Sequence, residues 1–283
     1  MIRPDISFIL ADGLVHRIVY DSQETGDIES TYAGRVTDIE GKTSKIDDFL
    51  KSLGKTPLGK RYAVLGFGSN PVPGQLVSKF GADAVVPVIY GEISNTDVVY
   101  NLINEGYAFA ELALKQQGVN VSVAITFLDS KQLKSMNETE EPNYHLAFIP
   151  QDVHLISGEV VSGGMEDVPG LFYAGARKIW VPEHCDGPIA IAEISRTGRP
   201  NIALTQVQTL DLIVKEFKLW EEGIMSGTEL SERLIKEGKG KKHPIKDYLR
   251  NCVADDSRSL KSVESQVTPL KNPKTPPKMF GDN

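Results

Sequence analysis

Val64-Leu65-Gly66-Phe67-Gly68-Ser69-Asn70-Pro71-Val72-Pro73-Gly74-Gln75-Leu76 (VLGFGSNPVPGQL) is the stretch on which the reading of the fold turns. An apolar strand runs into a glycine turn, and a helix opens behind the prolines. Read one way, Gly66-x-Gly68 after a strand begins a dinucleotide cradle, an NAD(P)-type site, with Glu92 placed where a ribose-binding acid is expected. Two features oppose that reading. Pro71 stands at the third glycine position, where a small residue should allow close helix–strand packing. Beyond Glu92, strand signals follow one another without a full helix between them, which breaks the rhythm of a doubly wound sheet. Read the other way, Asn70 is the N-cap of a helix with Pro71 or Pro73 in its first turn, where a missing N–H costs nothing. The unpaired N–H groups of that turn and of Gly68 and Ser69 then point at one spot outside the strand end. Such a spot suits a carboxylate or a developing oxyanion. A capped turn that holds no ligand is the plain alternative.

The surroundings are those of an ordinary globular chain. Of 283 residues, 40% are hydrophobic and 24% charged, ample for a core. The net charge of -7 opposes nucleic acid or a membrane surface as the main partner. The one basic run, Lys236 to Lys246 (KEGKGKKHPIK), reads as a solvated linker between helices. Cys185 and Cys252 are the only cysteines, so no disulfide framework is implied and a reducing, cytoplasmic setting is expected. The five histidines show no metal-ligand spacing. In His184-Cys185-Asp186, adjacent side chains of an extended chain point to opposite faces, so no metal is expected there. The apolar run Ile6 to Leu10 is too short for a signal-peptide core or a membrane span.

Four segments follow from the pattern. Residues 1–57 form an N-terminal extension with hairpin-like apolar runs (Ile6–Leu10, Leu14–Tyr20), a turn at Glu24 to Asp27 and a helix from Ser44 to Leu53 closed by Gly54. Residues 58–222 form the main domain. Its strand signals are Tyr62–Phe67, Val85–Glu92, Tyr107–Ala113 and Val119–Leu128, then Val153–Ile156, Ile179–Val181 and Pro188–Ile194. Thr205 to Trp220 places Leu210, Ile213, Val214 and Phe217 on one face, the pattern of a docking helix. Residues 223–254 hold two further helices, Thr228–Glu237 ended by Gly238 and Ile245–Val253. Residues 255–283 are rich in Ser, Lys and Pro and read as disordered.

A second segment bears on the first. Leu128-Asp129-Ser130-Lys131-Gln132-Leu133-Lys134-Ser135-Met136-Asn137-Glu138-Thr139-Glu140-Glu141-Pro142-Asn143-Tyr144 follows the strand that ends at Leu128. Asp129 with Gln132 makes a capping-box-like start, and Pro142 ends the helix just beyond Glu140. Glu140 lies four residues after Met136 and shares the inward face with Leu133 and Met136, whereas Glu138 and Glu141 point elsewhere. An inward carboxylate with no cationic neighbour in sequence is costly unless it has a task or a partner. Pairing with an unseen arginine or a backbone N–H is the plain alternative.

Together, Phe67-Gly68-Ser69-Asn70 with Gln75-Leu76 and Leu128-Asp129-x-x-Gln132-Leu133-x-x-Met136-x-x-Thr139-Glu140-x-Pro142-Asn143-Tyr144 resemble the γ-glutamylcyclotransferase-like superfamily, and within it an uncharacterised bacterial branch. The resemblance runs from about Tyr62 to Trp220. It implies an α+β fold, a mixed β-barrel with short helices, to which the C-terminal helices are added. It also implies that Phe67, Gly68, Ser69 and Asn70 cup the substrate and that Glu140 is the catalytic acid/base. Tyr144 is read as pocket-lining or as core, and Tyr173 and Arg177 stand in a strand-like segment. The chain departs from the family pattern at Phe67, where tyrosine is usual, at Val123, where glycine is usual, and in the insert after Tyr144.

The implied reaction is intramolecular: the α-amine of a γ-glutamyl group attacks its own γ-carbonyl, giving pyroglutamate and a free amine. The partner is therefore a small molecule with a γ-glutamyl or similar amide group, and no metal or organic cofactor is called for. A non-catalytic binding or interaction module on the same fold is the alternative, and an NAD(P)-binding protein comes third.

Overall fold

The computed structural model describes residues 6–20, 34–104, 106–140, 143–156, 160–161, 170–198, 202–237, 244–255, 259–262 and 266–267. In chain order the elements begin with β1 (Phe8–Ala11), β2 (Leu14–Tyr20), β3 (Gly34–Thr37), β4 (Thr43–Lys45) and α1 (Ile46–Ser52). Then come β5 (Tyr62–Gly66), α2 (Pro73–Phe80), β6 (Val86–Ser94), β7 (Thr96–Asn104), β8 (Tyr107–Leu114), β9 (Asn120–Leu128) and α3 (Ser130–Glu140). Short strands follow: β10 (Tyr144–Phe148), β11 (Val153–Leu155), β12 (Val160–Val161), β13 (Leu171–Gly175), β14 (Ala190–Ile191), β15 (Arg196–Thr197) and β16 (Ala203–Leu204). The helices α4 (Gln206–Glu216), α5 (Gly227–Glu237) and α6 (Pro244–Asp255) close the list. The protein is thus a mixed α+β chain with large sheets. None of its described helices is long and apolar enough to cross a membrane. Contacts divide it into two compact units, Met1–Ser94 with Ser122–Tyr173 and Val267–Asn283, and Asn95–Val121 with Ala174–Gln266.

In the first unit the strands follow the order β10-β13-β5-β9-β6-β1-β2-β3-β4. The β1–β2 hairpin turns on Asp12-Gly13, both at positive φ (49° and 72°), the two-residue geometry that Asp-Gly favours. β1 also pairs with β6, from Phe8 against Val88 to Leu10 against Val86, and all four of its residues are buried. β5 runs antiparallel to β9 and parallel to β13. The dinucleotide reading fails on this order: β9 lies between β5 and β6, so β5, α2 and β6 form no parallel unit. Glu92 sits exposed on β6 opposite His154.

The core beneath α2 and α3 gathers Phe8, Val64, Leu76, Val86, Leu133 and Met136. Each such burial stabilises by roughly 1.5–3 kcal/mol. The ladder path is open among the described residues, with β10 at one end and β4 at the other, so the expected closed barrel does not form along it. The N-terminal strands extend the sheet beyond β6 instead of returning it to β10.

In the second unit the order is β16-β14-β7-β8. β7 is missing from the sequence expectation because Asp97 and Asn101 interrupt its apolar alternation. Both are buried all the same, and Asp97 is neutralised by Arg196 with Nη1 2.5 Å from Oδ1. α4 starts on a capping box between Thr205 and Gln208 and buries Leu210, Ile213 and Val214. It ends earlier than expected, at Glu216, because the chain turns left-handed at Lys218 (φ 50°) before a 3-10 turn, Leu219–Glu222. Of the two later strand expectations, only the bridge Ile179–Leu260 and the short β14 form. The turn at Glu24 to Asp27, Gly238, most of the basic run and the tail from 268 lie outside the described residues.

Candidate functional site

α3 forms where Asp129 caps it. Asp129 Oδ1 accepts from Gln132 N–H (2.9 Å), and Gln132 Oε1 accepts from Asp129 N–H (3.0 Å). Buried Arg61 locks this start further, donating to the carbonyls of Phe127 (3.3 Å), Val85 (3.2 Å) and Thr56 (3.1 Å). Burial lowers the Arg61 pKa, with Asp129 and Asp47 opposing the shift. Along the helix Leu133, Met136, Asn137 and Glu140 recur at i, i+3, i+4 and i+7 and share one face. Leu133 and Met136 are core, so the stripe is apolar at its start and polar at its end. Glu138 is exposed, and Glu141 lies outside the described residues.

The loop after β5 meets that polar end. α2 starts at Pro73 with Val72 as its N-cap, so Asn70 is not the cap. Pro71 disfavours the helical region for the residue before it, and Val72 N–H closes a turn on Ser69 O at 2.9 Å. Gly66 admits this turn: a Cβ there would lie 3.0 Å from Pro71 Cδ. The Asn70 side chain is thereby released from capping and donates from Nδ2 to Glu140 Oε1 at 3.1 Å. Among the described residues the backbone N–H groups of Gly68, Ser69 and Asn70 have no hydrogen-bond partner.

Glu140 also has the cation that the sequence did not reveal. Lys79, in the last turn of α2, places Nζ 2.5 Å from Glu140 Oε1, 3.0 Å from Thr139 Oγ1 and 3.3 Å from Met136 Sδ. Three donors thus meet three acceptors. The two side chains are only 13% and 12% exposed, so the ion pair offsets the cost of sheltering the carboxylate. Both Asn70 and Lys79 bind Oε1. Oε2 accepts no hydrogen bond from the described residues.

The other expected residues are placed as follows. Phe67 is buried at the end of β5, Gly68 is half-buried and Ser69 exposed. Tyr144 begins β10, just after Asn143, whose N–H donates to Glu140 O (3.1 Å), and it packs against the core beneath α2 and α3. The structure therefore joins Asn70 to Glu140 directly and puts Tyr144 in the packing. Tyr173, from β13, donates its hydroxyl to Asn137 Oδ1 at 2.5 Å. Arg177 lies beyond the end of β13 and is half-buried. Among the described residues no three His, Cys, Asp or Glu side chains gather as a metal site.

No family model and no curated protein sequence matches the chain. Solved structures share some of its course. A γ-glutamyl cyclotransferase matches over 68% of this chain and 98% of its own, at 10% identity and a TM-score of 0.33. An uncharacterised human protein matches over 68% and 99%, at 12% identity and a TM-score of 0.33. At such scores the likeness carries no argument. Whatever function is assigned rests on the residues themselves.

Proposed function

We propose that the chain is a γ-glutamylcyclotransferase-like enzyme that releases an amine from a γ-glutamyl amide, with Glu140 as its acid/base. The observation that carries this reading is the Asn70 Nδ2 bond to Glu140 Oε1 (3.1 Å), which holds the Gly68–Asn70 bend against the carboxylate. One compact ligand can then touch both. Its carboxylate or its developing oxyanion takes the N–H groups of the bend, and its amine takes Glu140 Oε2.

Holding the glutamyl group folded makes the attack intramolecular. The neutral α-amine forms a bond to the γ-carbonyl carbon, and the carbonyl oxygen becomes an oxyanion. As that oxyanion collapses, the bond to the leaving nitrogen breaks. The proton lost by the attacking nitrogen passes by way of Glu140 to the leaving one. The products are pyroglutamate and a free amine, and no water is consumed. Lys79 and Asn70 fix Oε1, which leaves Oε2 as the transferring atom.

A non-catalytic binding module is the second reading. It is favoured by the fully engaged Lys79 and by Phe67, which brings no hydroxyl to the loop. Assay of pyroglutamate from a panel of γ-glutamyl amino acids and amines separates the two. The enzyme reading expects turnover that falls about a hundredfold or more in Glu140→Gln. Equal product from both proteins removes Glu140 as the base, and binding without product leaves the second reading.

A further inference from the structure

We propose that Asn137, held by Tyr173, is a further ligand-contacting residue of this site and recognises the carbonyl oxygen of an amide. The inference builds on the placement of the ligand given above, at Glu140 and the Gly68–Asn70 bend.

The polar end of the α3 stripe has two members, Asn137 and Glu140, one turn apart on the same face. Tyr173 Oη donates to Asn137 Oδ1 at 2.5 Å, and in that orientation one end of the amide is left over. The remaining end is the NH2 group. Among the described residues Asn137 Nδ2 has no hydrogen-bond partner, and the side chain is only half-buried. The Tyr173 ring is itself 4% exposed, so the phenol is a rigid support for the amide.

Tyr173 reaches this position because β13 runs parallel to β5, Phe172 opposite Leu65. Tyr173 therefore comes level with Gly66, where the Phe67–Asn70 loop begins. The carboxyl ends of parallel strands are where α/β sheets leave room for ligands.

The result is a donor beside an acceptor on one helix face: Asn137 Nδ2 donates, and Glu140 Oε2 accepts. An amide presents the complement, a carbonyl oxygen that accepts and an N–H that donates. A free amine or a simple carboxylate matches only half of that pair. Asn137 thus selects ligands with an amide carbonyl, and Tyr173 acts as a positioning residue through it.

The test is calorimetric binding to the full chain, with pyroglutamate as probe and cyclopentanecarboxylate as control. The control keeps the ring and the carboxylate and lacks the lactam. Tyr173→Phe/Asn137→Leu removes both polar groups together, so neither is stranded without its partner. Tyr173→Phe alone keeps the amide and frees its orientation. The expectation is that the double variant weakens pyroglutamate binding about tenfold and the single one about threefold, with control binding unchanged in both. Unchanged pyroglutamate affinity overturns the proposal. So does equal weakening of probe and control, which marks a structural role, or no pyroglutamate binding by the wild type. A wild type that binds the probe but forms none from γ-glutamyl substrates counts against the enzyme reading and leaves this proposal standing.

Discussion

The two units each shelter a glutamate, and they do it in opposite ways. Glu140, at the end of α3, keeps 12% of its side chain exposed, is met by Lys79 and Asn70, and has one carboxylate oxygen without a bond from the described residues. Glu111, in the middle of β8, is wholly buried. Its Oε1 accepts from Leu112 N–H at 3.0 Å, and among the described residues its buried Oε2 has no hydrogen-bond partner. Burial pushes its pKa up to about 8, against the pull of the Leu112 and Gly175 N–H groups. One carboxyl is met by a cation and stays partly exposed; the other gives up its charge to be enclosed. A sheltered acid is therefore no sign of a site by itself. What separates the two is whether the surroundings compensate the charge and leave an oxygen to offer.

The contrast breaks most visibly with pH. The folded chain holds the Glu111 proton up to about pH 8, while an unfolded one releases it near 4.5. Its contribution to stability is thus complete below about 4.5 and is lost as pH rises toward 8. Glu111→Gln keeps the shape without the titration. Urea unfolding should show it gaining on the wild type by about 1 kcal/mol per pH unit across that window and levelling off above it. Parallel stability curves would mean that the carboxyl is solvated.

Gly175→Ala probes the enclosure, since a Cβ there would run into Glu111 Oε2. It should cost about 2–3 kcal/mol in chemical denaturation, and much less in a Glu111→Ala background. On the other side of the comparison, Lys79→Met strands a sheltered carboxylate. A loss of about 1–2 kcal/mol is expected, most of it cancelled in Lys79→Met/Glu140→Gln. Additive losses in that cycle would show that the ion pair contributes nothing. The smallest effect belongs to Asn70→Ala, about 1 kcal/mol or less for one hydrogen bond, read from the shift in thermal midpoint.

Local signals carried well into three dimensions. The capping box at Asp129 and Gln132, the inward face of Leu133, Met136 and Glu140, and the first hairpin are all nearest-neighbour chemistry, and each is found as read. Asn137 was equally legible, four residues after Leu133, but its polarity hid it in a search for an apolar stripe. Lys79 was not legible: it meets Glu140 across 61 residues, and no periodicity links one helix's last turn to another's. Asn70 was misread because capping is the commonest use of asparagine before a helix, and Pro71 with Pro73 moved the helix start past it. β7 escaped for a related reason, because its buried Asp97 is balanced by a partner 99 residues away.

Whether the bend and the carboxylate act on one ligand can be read from the backbone amides of Gly68, Ser69 and Asn70. Their NMR signals, followed while pyroglutamate is added, should move in a saturable way in the wild type. In Glu140→Gln the same signals should need far more ligand to move. Amides that stay still, or that shift alike in both proteins, would show that the bend and Glu140 do not form one site.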